Sequence, residues 1–109
     1  MQLRKYRWSK DYESAEEELE ALFAHKKITA EKWHAEEFEE FPAHSHDYDK
    51  QLWCAEGSIV FTVDDGSSQG KRISMQPGDA LDLPSGTTHS AVAGFTGAVC
   101  YESHASKRP

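Results

Sequence analysis

The chain has 109 residues, of which 38% are hydrophobic, and its formal net charge is −7. This length is sufficient for one domain with a modest core, but it leaves little chain for a second domain. The acidic balance excludes nucleic-acid or anionic-membrane binding by bulk electrostatics, and it favours a small-molecule partner. Because no stretch reaches the roughly 18 apolar residues of a membrane span and the N-terminus does not resemble a signal peptide, we expect a cytoplasmic protein.

A short amphipathic helix is predicted near the N-terminus, over residues 11–25. Apolar side chains recur there at three- and four-residue spacing. They are Tyr12, Ala15, Leu19, Leu22 and Phe23. Ser14 with Glu17 fits a capping box at the start of this helix. We therefore divide the chain into an N-terminal helical segment, residues 1–27, and a β-barrel body, residues 28–109, on which the helix packs.

After Ile28 the hydrophobic pattern changes to a period of two, with turn residues between short segments. Eight strands are predicted, at residues 28–36, 37–41, 52–55, 58–63, 72–75, 80–83, 89–93 and 98–102. The breaks between them contain turn-forming residues, including Glu56-Gly57 and the stretch 94–97. Residues 103–109 are expected to fray. Many short strands favour an all-β barrel or sandwich.

Three histidines in two separate motifs indicate a metal site. His44 and His46 are one residue apart, and in an extended strand this spacing places both imidazoles on one face. His89 follows the turn formed by Pro84 and Gly86. We predict that the three rings converge on one metal ion.

These motifs resemble those of the cupin family. The first cupin motif has two histidines one residue apart, a glutamate four or five residues later and a glycine after the next strand; His44, His46 and Gly57 fit it. The second motif is matched by Gly78, Pro84, Gly86 and His89, although Ala93 stands where an asparagine is usual. The resemblance covers residues 43–93, and it implies a small double-stranded β-helix, or jelly-roll barrel, with a short N-terminal α-helix.

The glutamate ligand of the cupin motif is absent. Its position falls on Lys50 or on Gln51, depending on the spacing that is used. A protonated lysine has no lone pair for a metal, whereas the amide oxygen of Gln51 is a weak neutral donor. We therefore predict Gln51 as a fourth ligand beside the three histidines, with Asp49 or water as the alternatives.

Three imidazoles suit a divalent transition metal, such as iron, zinc, nickel, copper or manganese, better than magnesium or calcium. Cupins without the glutamate, similar to cysteine dioxygenase and the diketone-cleaving dioxygenase, bind iron with three histidines. The resemblance thus implies a non-haem, dioxygenase-like enzyme that acts on a small organic molecule. Lewis-acid chemistry is an alternative reaction. A non-catalytic small-molecule-binding or sensing cupin is the alternative function.

Lys50, Asp82 and Tyr101 are predicted to provide polar contacts in a substrate pocket. Lys50 has two interpretations, a salt bridge with a neighbouring Asp or a contact with a substrate carboxylate. Asp82 interrupts an apolar strand, so its carboxylate requires solvent, a hydrogen-bonding partner or a role in the pocket.

A further group of aromatic, histidine and cysteine side chains is expected to be solvated or structural, in the core or at an interface. They are Trp33, Trp53, Phe61, His25, His34, His104, Cys54 and Cys100. The alternatives are that the aromatic rings line a ligand cavity and that the two cysteines form a redox pair. A homodimer is also expected, because a single-domain jelly roll has open sheet edges that need to be covered.

Overall fold

The computed structural model describes residues 1–9 and 15–105. Its elements in chain order are β1 (Arg4–Arg7), α1 (Glu16–Lys26), β2 (Glu31–Ala35), β3 (Glu40–His44), β4 (Asp49–Val63), β5 (Lys71–Met75), β6 (Asp79–Leu83) and β7 (His89–Ala105). The predicted helix is present, but Tyr12 and Ser14 of its expected first turn lie outside the described residues. Within the described ranges, no helix is both long and apolar enough to cross a membrane.

Two long strands, β4 and β7, connect the two halves of one antiparallel sheet. The first part of β4 pairs with β6 and with the end of β7, and the last part pairs with β5 and with the start of β7. Strand β1 extends the first half beside β6, and β2 extends it beside the end of β7. Strand β3 lies beside the start of β7 in the second half. The main apolar core contains buried side chains from both halves.

Two predicted breaks prove to be irregularities within long strands. Predicted segments 52–55 and 58–63 form the single strand β4, and segments 89–93 and 98–102 form β7. The register of β4 against β7 shifts on both sides of Gly57, whose φ is +71°. A β-bulge bends a strand without ending it. Each long strand therefore continues from one half of the sheet into the other.

The N-terminal segment contributes a strand that the hydrophobic pattern did not predict. Residues Arg4–Arg7 pair with β6. Buried Asp79 of β6 accepts a hydrogen bond from Arg7 at 2.7 Å and another from the backbone nitrogen of Gln76 at 2.9 Å. Polar contacts therefore stabilise β1, which explains why apolar periodicity did not reveal it. At the other end, β7 continues to Ala105, so residues 103–105 are paired rather than frayed.

Side-chain alternation in β4 separates two apolar clusters. Leu52 and Cys54 belong to the core between the two halves of the sheet. Trp53 faces the opposite side, where Leu19 and Phe23 of α1 are buried against the sheet. Neighbouring residues of a strand point to opposite faces. This alternation determines which polar residues of β4, β6 and β7 reach the histidines.

The two cysteines are buried structural residues. Cys54 and Cys100 are register partners on β4 and β7, and both are free thiols. Contact with Cys54 and burial raise the pKa of the Cys100 thiol well above its usual range. A protonated, buried thiol is a poor nucleophile, which agrees with the structural role expected for both cysteines.

Candidate metal centre

Strand pairing brings His44 and His89 together. His44 is the last residue of β3, His89 is the first of β7, and the two are register partners whose ring centroids are 4.4 Å apart. His46 lies in the loop after β3, and its ring centroid is 4.7 Å from that of His44. The loop, rather than the expected alternation along one strand, therefore places His46 beside the other two rings.

Two hydrogen bonds join residues 46–49, the end of the loop that carries His46 and the start of β4, to the loop that precedes His89. The backbone nitrogen of Gly86 donates to the His46 carbonyl oxygen at 2.7 Å, and that of Ser85 donates to the Asp49 carboxylate at 2.9 Å. Gly86 has φ of +79°, a conformation that favours glycine. The Pro-Ser-Gly turn thus aligns the two motifs. The Asp49 carboxylate therefore has a structural partner, the backbone nitrogen of Ser85.

The hydrogen bonds of the rings leave nitrogen atoms that are suited to a metal. Nδ1 of His44 is 2.8 Å from the carbonyl oxygen of Pro42, and Nδ1 of His89 is 3.0 Å from that of Thr87. A ring that donates from Nδ1 presents the lone pair of Nε2. Nε2 of His46 is buried and has no hydrogen-bond partner among the described residues. A buried polar atom without a partner is costly, and an ion bound there would satisfy it.

The charge state and spacing of the rings also fit a metal. Burial, followed by the positive charge of Lys50, lowers the pKa of His46; burial lowers the pKa of His89 despite its contact with Thr87. The neutral imidazole is the form that ligates. The three ligand atoms lie within 4.8 Å of one another. Two nitrogens on a tetrahedral zinc are about 3.4 Å apart. Side-chain rotations that move the ring nitrogens by about 1 Å would therefore complete the site.

Three predicted site residues lie on the other side of the sheet. Gln51 donates from Nε2 to the Asp82 carboxylate at 3.1 Å, and the Tyr101 hydroxyl donates to Glu20 of α1 at 3.3 Å. Gln51 lines a cavity with Trp53, the side chain that faces α1. The alternation of β4, β6 and β7 therefore corrects the prediction that Gln51 is a fourth ligand. It likewise places Asp82 and Tyr101 outside the pocket beside the histidines.

Lys50 does face the histidines. With His44 and His89 it lines a cavity of about 260 Å³. Its Nζ is 3.2 Å from the Glu102 carboxylate, and the two side chains are only 12% and 17% exposed. His104 Nε2 lies 2.6 Å from the same carboxylate oxygen. Burial opposes the charge of Glu102, but its contacts with His104 and Lys50 outweigh burial and lower the pKa of Glu102. Lys50 therefore forms the predicted salt bridge, with a Glu instead of an Asp.

Sequence reasoning missed Glu102 and most of the apolar wall of this cavity. The apolar lining residues are Trp33, Phe41, Leu52, Phe61 and Ala91. Nε1 of Trp33 is buried, and no described residue accepts a hydrogen bond from it. The available signal for Glu102 was its spacing from Cys100. Glu102 lies two residues further along β7, and residues two apart on a strand share a face. That signal became usable only after Cys100 was known to face the core.

Tyr48, which was also missed, connects the histidines to the Glu102 carboxylate. Its ring stacks on His46 with centroids 4.8 Å apart and on His104 with centroids 4.4 Å apart. His104 then contacts Glu102. The stack restricts the orientation of the His46 ring, and it gives His104 the structural role expected from its position outside the motifs.

Solved structures with little sequence identity share this architecture. A DUF861 family protein from Thermotoga maritima is 17% identical, with a TM-score of 0.63 over 95% of this chain and 100% of its own. KdgF from Halomonas sp. is 16% identical, with a TM-score of 0.63 over 97% of this chain and 80% of its own. The cupin domain of Drosophila melanogaster CENP-C is 11% identical, with a TM-score of 0.64 over 70% of this chain and 59% of its own. The chain has the cupin fold.

This result confirms the jelly-roll barrel that the two sequence motifs implied. No family profile and no curated protein sequence matches the chain. At these identities the likeness shows the fold alone, and cupins host many unrelated activities. The function of this chain therefore has to be argued from its own side chains.

Proposed function

We propose that this cupin binds one divalent transition metal through His44, His46 and His89 and uses it on a small organic molecule in the adjacent cavity. The supporting observation is the cluster of three ring nitrogens within 4.8 Å of one another, two of whose histidines line that cavity. A metal held by three imidazoles supplies Lewis acidity or redox chemistry and retains positions for a further ligand.

The reaction class that we favour is that of a non-haem dioxygenase, with iron as the ion. The resemblance to cupin dioxygenases whose site has three histidines and no glutamate supports this choice. In this chain Lys50 occupies the inward position of β4 where that glutamate would stand, and it contributes no lone pair while protonated. The apolar side chains around the cavity would exclude water from a bound molecule.

One observation favours the second candidate, a cupin that binds or senses a small molecule without turnover. Glu102 is the carboxylate that lines the cavity, and Lys50 and His104 both contact it. A carboxylate held in this way is a weaker proton acceptor than a free one, because two donors stabilise its charged form. Among the described residues that line the cavity, no other carboxyl group is available for general acid-base catalysis.

Metal reconstitution and oxygen uptake test the proposed function. Metal-free protein is loaded with Fe²⁺ under anaerobic conditions, and bound metal is counted by mass spectrometry. We expect one ion per chain. Oxygen consumption is then followed with a panel of small thiols and diketones, and we expect uptake that depends on one of them. The matched control is His25→Ala, which removes a histidine of α1 and should leave metal content unchanged.

The outcomes separate the candidates. One iron per chain with substrate-dependent oxygen uptake supports the dioxygenase. One iron per chain without oxygen uptake supports the binding or hydrolytic alternatives. A chain that retains no iron after reconstitution contradicts the proposed metal site and the dioxygenase.

The expected homodimer and cytoplasmic location stay predictions. In the part of the chain that the structure describes, β1, β2, β3 and β5 each pair on one side, and Phe38 and Phe95 are 63% and 73% exposed. A second copy of the chain would cover such edges and side chains. Sedimentation equilibrium is expected to give twice the chain mass of 12.3 kDa, and a value near 12.3 kDa would contradict the dimer.

A further inference from the structure

We propose that the cavity beside the three histidines binds a small organic carboxylate, with Lys50 as the donor to its carboxylate group and the aromatic wall around its apolar body. This inference rests on the proposed function, because it names the class of ligand for the same cavity. It depends on Lys50, Glu102 and the lining side chains of the cavity, whose contacts the structure defines.

The position of Lys50 is the first argument. A lysine at this site is mostly buried, with 12% of its side chain exposed, and it lines the cavity with His44 and His89. An ammonium group has three donors, and the ion pair with Glu102 engages one of them. Removing a charge from water is costly unless hydrogen bonds replace those of the solvent. The remaining donors therefore favour a ligand with an anionic oxygen.

The charge balance is the second argument. The carboxylate of Glu102 offsets the charge of Lys50, and an imidazole that ligates a metal is neutral. A bound divalent metal would leave the site with about two positive charges. An anionic ligand reduces this excess, whereas a cationic ligand increases it. Glu102 is held by His104 as well as by Lys50, so it keeps Lys50 in place while a ligand binds.

The third argument is the apolar wall of the cavity, which indicates that the part of the ligand beyond its carboxylate is apolar. The apolar side chains that line it are Trp33, Phe41, Leu52, Phe61 and Ala91. Burying apolar ligand surface against such a wall is favourable. The volume of about 260 Å³ suits a molecule the size of a substituted benzene ring.

A matched pair of probes tests the inference. Phenylacetate and phenylacetamide have nearly the same shape, but only the first is an anion. Calorimetric titrations are made with zinc-loaded and with metal-free protein. We expect phenylacetate to bind at least about tenfold more tightly than the amide, because a hydrogen bond to a charged group is replaced by one to a neutral group. Equal affinities, or no measurable binding of either probe, overturn the inference.

Substitutions assign the preference to Lys50. In Lys50→Met the preference for phenylacetate is expected to fall about tenfold in both metal states, whereas Lys71→Met on β5 should retain it. Because Lys50→Met leaves Glu102 with His104 alone, the double variant Lys50→Met/Glu102→Gln is measured as well, with thermal melting as the folding control. A preference that persists in the folded double variant overturns the role of Lys50.

Zinc content separates this inference from the proposed function. If the protein binds no zinc but its metal-free form prefers phenylacetate through Lys50, the proposed function fails and the carboxylate site stands. If one zinc binds per chain but phenylacetamide binds as tightly as phenylacetate, the carboxylate inference fails and the metal site stands.

Discussion

A His89→Ala variant is expected to lose its metal while keeping the fold. His89 is the most buried of the three candidate ligands, and its Nδ1 is already oriented by the carbonyl of Thr87. Loss of an outer partner of a ligand typically weakens metal affinity by about 10- to 100-fold, so loss of the ligand itself should weaken it by more than about 100-fold. Competition with a chromophoric chelator measures the affinity, and circular dichroism checks the fold.

Two further variants provide the comparison for this result. His44→Ala removes an exposed ligand and is expected to lose the metal with little effect on stability. His34→Ala removes an exposed histidine at the rim of the cavity, outside the cluster of three, and should retain the metal. Unchanged affinity in His89→Ala would remove His89 from the site.

A Gly57→Ala variant is expected to be strongly destabilised. Gly57 has φ of +71°, and a Cβ at this position would overlap the carbonyl oxygen of Gly97 on β7. The left-handed conformation costs an L-residue about 1–2 kcal/mol, and crowding against backbone that cannot move away adds about 1–3 kcal/mol. We therefore expect a loss of about 2–5 kcal/mol in the free energy of unfolding, measured with urea.

Gly66→Ala is the matched control, because Gly66 also has a positive φ, +91°, but a Cβ added there would meet no other atom within 4 Å. It isolates the conformational cost, which we expect to be about 1–2 kcal/mol. A Gly57→Ala protein that is no less stable than Gly66→Ala would contradict the close approach of β4 and β7. That approach joins the two halves of the barrel.

The sequence was informative where a motif combines several residue types at fixed intervals. The Gly-Pro-Gly-His spacing that ends at His89 predicted both the fold and the position of that side chain, because the turn needs Gly86 and the strand begins soon afterwards. The convergence of His44, His46 and His89 was likewise expected, although a loop places His46 instead of a strand.

Strand boundaries were harder to predict, because the same residues serve turns and bulges. Glu56-Gly57 has the composition of a turn, but in the structure the chain continues through it as one strand. Whether a glycine ends a strand or bends it depends on the partner strand, here β7 near Gly97, which is distant in sequence. A prediction from the local pattern therefore divided each of the two long strands into two shorter ones.

The errors in the pocket have one physical cause, the alternation of side chains. Lys50 and Gln51 are neighbours, so one faces the histidines and the other faces α1. The spacing of the cupin motif allowed either residue, and only the register of β4 distinguishes them. Asp82 pairs in register with Gln51 and shares its face, where Gln51 provides the hydrogen-bonding partner that the sequence allowed as an alternative to a role in the pocket.

The most direct test of the metal centre is a crystal structure of zinc-loaded protein with anomalous data collected at the zinc edge. We predict one anomalous peak per chain, about 2.0–2.1 Å from a ring nitrogen of each of His44, His46 and His89. Ordered imidazoles with no anomalous peak between them, or a peak bound by other residues, would contradict the account.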